Sequence, residues 1–276
     1  MVNLPYFDEL LKLLEQDGLV EKSFGKHVHW GCWDQPDQAT LSVDDFIKAT
    51  ENLTHKLCAS AEIKEGMTVL DVGCGFGGTL AHLQETGSNL KLYGLNLDIR
   101  QLYRASNNLL NTASSPYLLV NGNACSLPFS DQSINCVLAV ECIFHFPDRA
   151  SFFREVFRVL KPGGTLVISD FVPQTWLAPL TQIKLPSPFG FHFYGHCQFD
   201  FTIDKYRNLA KETGFSAKDE LDITSNTLPT YRFLRRFAKD VGFYNVSAIM
   251  ETATAEMVSR MGWLDYLILS YRKESQ

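Results

Sequence analysis

The stretch Val69-Leu70-Asp71-Val72-Gly73-Cys74-Gly75-Phe76-Gly77-Gly78 decides the fold. Val69, Leu70 and Val72 read as a short buried strand, and four glycines follow within six positions. Residues 79–85 then take a helical pattern that Gly87 stops. Strand, glycine turn and helix in that order open a βαβ unit.

The same alternation extends outward on both sides. Residues 91–97 read as a second strand, 99–111 as a helix, 117–120 as a third strand and 134–140 as a fourth. Residues 151–160 are amphipathic, Lys161-Pro162-Gly163-Gly164 is a helix stop, and 165–172 give a fifth strand. Upstream, residues 6–15 predict a short helix. Ser42 and Asp45 form a capping-box pattern before Val43, Phe46, Ile47, Leu53 and Leu57 at helical spacing. Strands alternating with helices mean an α/β, doubly wound, parallel sheet with crossover helices on both faces. The pattern breaks after Pro173. Residues 171–206 hold nine aromatics and four prolines, so they are not another βα unit. Regular structure resumes with a helix over 202–213, strands near 221–223 and 263–271, and a mainly helical stretch over 230–260.

Composition limits the function classes. The 276 residues carry 25 Lys plus Arg against 31 Asp plus Glu, a net charge of −6, with 45% hydrophobic residues. That excludes a disordered chain, a collagen and a coiled coil, and it disfavours nucleic acid as the main partner. No apolar run reaches the ~18 residues of a membrane span, and the first residues lack a signal-peptide pattern. The seven cysteines are scattered and form no C-x-x-C pair. Neither a zinc site nor a disulfide framework is expected, and the compartment is read as reducing and cytoplasmic.

Gly73, Gly75 and Gly78 fit G-x-G-x-x-G, and Gly73, Gly75 and Gly77 fit G-x-G-x-G. The loop alone admits a dinucleotide, a sulfonium cofactor, or a tight turn with no ligand. Asp71 discriminates between the first two. Its carboxylate would repel a pyrophosphate and attract an ammonium or sulfonium, and S-adenosylmethionine carries both cations.

Residues 67–172 resemble the class I S-adenosylmethionine-dependent methyltransferases, in particular the branch that modifies sugars, polyketides and tocopherols. The resemblance rests on five ordered segments: the glycine loop; Gly94-Leu95-Asn96-Leu97-Asp98-Ile99-Arg100-Gln101; Asn121-Gly122-Asn123-Ala124 with Leu127-Pro128-Phe129; Glu141-Cys142-Ile143-Phe144-His145-Phe146-Pro147-Asp148-Arg149; and Leu160-Lys161-Pro162-Gly163-Gly164 with Ser169-Asp170-Phe171. It implies a seven-stranded Rossmann-like sheet with a helical lid and an aromatic cap. The division it suggests is a lid region over 1–62, a cofactor-binding core over 63–172, a substrate cap over 173–201, and a C-terminal completion over 202–276 carrying a helical insertion at about 226–262.

The resemblance also implies residue roles. Asp71, Gly73, Cys74 and Gly75 hold the methionine end of the cofactor, with Glu141 facing that end. Asn96 stands where the family usually has the acid that grips the ribose, so Asp98 is a candidate to share the task, although Asn96 also suits a helix cap. Leu97 packs on the adenine, Gln101 reaches the ribose, and Asn123 with Ala124 meets the adenine edge. The segment 27–34, with His29 and Trp33, resembles an H-x-G-Y-W flap. A flap closing over the cofactor and an aromatic cluster packed on the sheet are both compatible with it.

His145 lies just past strand four and Asp170 at the end of strand five, where doubly wound sheets place ligands. Related sugar methyltransferases assign base-like roles to this pair, and an imidazole suits proton acceptance near neutrality. A structural histidine before Pro147 is the alternative. Phe144, Phe191, Phe193 and Tyr194, with His29 and Trp33, are the candidate acceptor contacts. The expected activity is methyl transfer to a hydroxyl of an apolar small molecule, plausibly a natural-product intermediate. Transfer to nitrogen or carbon, or cofactor binding without catalysis, are the alternatives.

Overall fold

The computed structural model describes residues 4–87, 89–109, 116–177, 193–195, 197–198 and 200–274. Its strands are β1 (Thr68–Val72), β2 (Lys91–Asn96), β3 (Tyr117–Asn121), β4 (Ile134–Val140), β5 (Leu160–Pro173), β6 (Phe215–Asp222) and β7 (Leu264–Lys273). They hydrogen-bond in the order β3-β2-β1-β4-β5-β7-β6. The first five pair in parallel, and β7 runs antiparallel between β5 and β6. The chain leaves β1 toward β2 on one side and later returns to β4 on the other. This reversal leaves a crevice at the carboxyl ends of β1 and β4.

Strand periodicity distributes the core over both faces. On one face Leu70, Val72, Val137, Leu166 and Ile168 pack under α6 (Arg149–Val159) and α7 (Ile203–Thr213), which supply Phe152, Phe153, Val156 and Tyr206. On the other, Val69, Leu92, Leu138 and Val167 meet α3 (Val43–Ser60), α4 (Gly78–Thr86) and α5 (Ile99–Leu109) through Leu53, Leu57, Leu80 and Leu102. Each such side chain contributes about 1.5–3 kcal/mol on leaving water. A third cluster joins α1 (Pro5–Gln16) and α2 (Gly18–Phe24) to α9 (Pro229–Asp240), which follows the single-turn α8 (Thr224–Thr227), and Phe46 stacks on Phe233 at 4.0 Å. The last helix, α10 (Val246–Arg260), precedes β7.

Two boundaries differ from the sequence reading. β5 begins at Leu160, before the Lys161-Pro162-Gly163-Gly164 stop. Leu160 pairs with Ile134 and Thr165 with Cys136, so the prolyl-glycyl segment is an irregularity within one strand. β6 begins at Phe215, six residues ahead of the expected strand. Lys218, Asp219 and Glu220 lie on this edge strand, and charges that guard an edge hide its alternation. Ser42 caps α3 through the Asp45 N–H as its pattern predicts. The Asp45 carboxylate instead accepts from the Leu41 N–H and the Trp33 indole.

Candidate active site

A cleft of about 610 Å³ opens at the carboxyl ends of β1, β2 and β4, a size ordinary for a small-molecule site. Its floor is the glycine loop. The Gly73 and Cys74 N–H groups donate to the Leu95 carbonyl at 2.7 and 3.1 Å, which ties the loop to β2. Gly73 has φ +72, and a Cβ there would lie 2.7 Å from the Cys142 Cβ. Only glycine fits both limits. Gly75, at φ +51, has nothing nearer a would-be Cβ than the Gln101 amide oxygen at 3.9 Å. That open backbone is a cradle for a ligand.

Asp71 is almost fully buried at the tip of β1, and Thr79 at the start of α4 donates to it. Its Oδ2 is buried without a hydrogen-bond partner among the described residues. Burial raises its pKa to about 8, against the smaller opposing pull of Thr79. A buried carboxylate oxygen facing a cleft with no donor fits an incoming cation, and with the open Gly75 backbone it fits the methionine end of S-adenosylmethionine.

Gly73, Cys74, Gly75, Asn96, Leu97, Gln101, Asn123, Ala124 and Glu141 also line this cleft. The Asn96 amide donates to Gln101 Oε1 at 2.9 Å, so these two candidates form one polar unit at the end of β2. Asp98 meets them only through its backbone carbonyl, which accepts from the Asn96 amide at 3.4 Å. Its carboxylate caps α5 through the Arg100 N–H and pairs with the Arg100 guanidinium. The Asn123 side-chain oxygen accepts from the Cys125 N–H at 2.9 Å and keeps its second lone pair. Glu141 adopts φ +46, a costly conformation for a non-glycine residue. Its carboxylate accepts from the Trp30 N–H at 2.8 Å and from the Tyr266 hydroxyl, and burial lifts its pKa to about 8.

The segment around His29 is tied down. Cys32 N–H donates to the Ala49 carbonyl, Trp33 N–H to the Asn226 carbonyl, and Gly31 N–H to the Thr230 hydroxyl. Trp33 is buried in the aromatic cluster beside Phe46 and is not among the residues lining the cleft. His29 does line the cleft. It sits 3.0 Å from His27, which contacts Glu51 at 3.0 Å, and burial followed by the charge of His27 lowers its pKa to about 3.

His145 closes the short 3-10 turn Ile143–His145 after β4, and its half-buried ring lines the cleft. Nε2 is 3.5 Å from the Tyr6 hydroxyl and Nδ1 is 3.7 Å from Cys197 Sγ. Phe144 packs edge-on against this ring at 4.5 Å, and Tyr194 lies 5.6 Å from Tyr6. Phe193 is 6.5 Å from Tyr6, while Phe191 lies outside the described residues. Asp170, expected to work beside His145, is engaged by other partners and is not among the residues lining the cleft. Asp170 is fully buried, paired with Arg149 at 3.0 Å and hydrogen-bonded by Tyr206 and the Phe171 N–H. Arg149 also donates to the Gln198 carbonyl, so the carboxylate anchors α6 and α7 rather than facing the cleft. Tyr6 is the site residue that sequence reasoning missed. It counts there only as an apolar position of α1, and no local motif signals that it meets His145.

Comparison with known proteins accords with this geometry. A family model described as a methyltransferase domain matches residues 70–168. A 2-methyl-6-phytyl-1,4-hydroquinone methyltransferase from Synechocystis is 34% identical over 270 residues, covering 94% of this chain and 75% of the relative. Methyltransferase GfsG from Streptomyces halstedii is 31% identical over 82% of this chain and 76% of its own length. The fold is that of the cyclopropane synthase MmaA2 from Mycobacterium tuberculosis, with a TM-score of 0.75, 15% identity, and coverage of 98% of this chain and 99% of that one.

Proposed function

Because the chain belongs to the small-molecule S-adenosylmethionine-dependent methyltransferases, we propose that it methylates a hydroxyl of an apolar metabolite, with His145 as general base. The cofactor supplies an electrophilic methyl group on a sulfonium. Asp71 holds the ammonium of its methionine end through the unpartnered Oδ2, and Asn96 with Gln101 holds the ribose. Asn123 and Ala124 meet the adenine edge. His145 orients the acceptor hydroxyl and takes its proton at Nε2. The observation that carries this reading is the His145 ring, which lines the same cleft as Asp71, beside the Tyr6 hydroxyl. Phe144, Tyr194 and Tyr6 surround this end with aromatic surface, which suits an apolar acceptor. The Synechocystis relative is named for a phytyl hydroquinone, an apolar molecule bearing hydroxyls, and this supports the same class of acceptor.

Single-turnover methyl transfer with a labelled donor tests the proposal across pH. On an alcohol acceptor His145→Ala should slow transfer by roughly 10²–10⁴ while leaving cofactor affinity in place. Full-rate transfer to an aliphatic alcohol by this variant would remove the base. An amine acceptor is indifferent to the substitution, because its free form attacks unaided, and that outcome would favour transfer to nitrogen.

A further inference from the structure

Helix α10 packs inward through a mixed face and leaves apolar side chains outside. Its buried residues are Ala248, Thr252, Glu256 and Ser259, three of them polar, and Val258 packs against the core. Thr252 bonds the Tyr194 hydroxyl at 2.8 Å, Ser259 lies 3.3 Å from the Tyr231 hydroxyl, and Glu256 takes Arg235 and Arg260. Its outward residues are apolar. Val246 is 72% exposed and Met257 is 54% exposed, with Ile249, Met250 and Met261 beside them. At 3.6 residues per turn these five lie along one side of the helix. Tyr244, 77% exposed, stands at the loop just before them.

Charge decides what this face fits. Residues 229–262 hold five cations (Arg232, Arg235, Arg236, Lys239 and Arg260) against Asp240, Glu251 and Glu256, in a chain of net charge −6. Arg235 and Arg260 share Glu256, and Arg236 lies 3.9 Å from Asp240, while Arg232, Arg236 and Lys239 are all exposed on α9, the neighbouring arm of the hairpin. A second copy docked by two-fold symmetry would set these cations against themselves. An anionic bilayer neutralises them and receives the apolar side chains at its headgroup boundary, where tyrosine is also favoured. We propose that the exposed face of α10, the Tyr244 tip and the cations of α9 dock on the surface of an anionic lipid bilayer. The docking face and the cleft share one element. Glu251 of α10 accepts the Phe193 N–H at 2.8 Å and the Tyr194 N–H at 3.2 Å, and Tyr194 in turn lies against Tyr6. The inference does not depend on the acceptor proposed above.

The test is co-sedimentation of the full chain with vesicles of phosphatidylcholine alone or with roughly one-quarter phosphatidylglycerol. Binding to the anionic vesicles is expected, at least ~tenfold weaker on phosphatidylcholine alone and weakened by salt. The triple variant Val246→Ser, Met250→Ser, Met257→Ser should lose at least ~tenfold in partitioning. Its S-adenosylmethionine affinity, measured by titration, reports that it is folded. Arg236→Gln with Lys239→Gln should lose the preference for anionic lipid while keeping residual apolar binding. Absence of binding to either vesicle overturns the proposal, as does unchanged binding by the folded triple variant. A dimer in light scattering that the triple variant converts to monomer, without vesicle binding by either, assigns the face to a second copy and also overturns it.

Discussion

Asp71→Asn should abolish a proton release that accompanies binding of S-adenosylmethionine. In the free protein burial holds the Asp71 carboxyl at about 8. At pH 7 about nine in ten molecules therefore carry it neutral. An ammonium placed at the unpartnered Oδ2 favours the charged form, and opposite charges within hydrogen-bond reach lower a carboxyl by about 1–3 units. A fall of three units leaves the group ionised at pH 7, so ~0.9 proton leaves Asp71. The cofactor's own amino group, with a reference pKa near 8, takes up about 0.1–0.2. The net release is about 0.7–0.8 proton per cofactor for a three-unit fall and about 0.2–0.3 for a fall of one unit. Isothermal titration at pH 7 in buffers of different ionisation enthalpy reads this number as a slope. Glu141, also raised to about 8 by burial, would add to the slope if it responds, and Glu141→Gln separates the two. In Asp71→Asn the Asp71 share should vanish and affinity should fall by about 1–3 kcal/mol. A slope of zero in the wild type, or an unchanged slope in a folded Asp71→Asn protein, would refute the reasoning.

Asp170→Asn should cost about 3–5 kcal/mol of stability by stranding Arg149, yet change single-turnover methyl transfer in the folded fraction by less than ~threefold. An unchanged melting temperature with a hundredfold slower reaction would return Asp170 to the chemistry. The His29 ring stays neutral down to about 3 through burial and the charge of His27, while an unfolded histidine protonates near 6.5. Its folded pKa is depressed, so the contribution is complete above about 6.5 and is lost as pH falls toward 3. Thermal melts of cofactor-free His29→Gln should show a flatter dependence over that window, and curves parallel to wild type would refute the assignment.

Much of the fold is local chemistry and therefore legible in one dimension. The glycine run after Val72, the stop at Gly87 and the short apolar runs of β1 and β5, buried on both faces, act between near neighbours, so residue order alone predicts strand, turn and helix. The cofactor candidates follow from the same logic. They sit at strand ends, and a doubly wound sheet brings strand ends together wherever its strands are correctly read. The edge strand β6 escaped that reading because solvent, not a core, selects Lys218, Asp219 and Glu220.

What tertiary structure decided concerns partners far apart in the chain. Asp170, near the end of β5, and His145, just past β4, look alike as polar residues at the ends of adjacent strands. Packing gives one an arginine from α6 and a tyrosine from α7, and leaves the other facing the cleft. Tyr6 reaches His145 across 139 positions, and the Trp30 N–H reaches Glu141 across 111. The outward apolar face of α10 is equally invisible in one dimension. Apolar residues lie on both sides of this helix, and the contacts of Ala248 and Val258 together with the polar anchors Tyr194, Tyr231 and Arg235 set its direction.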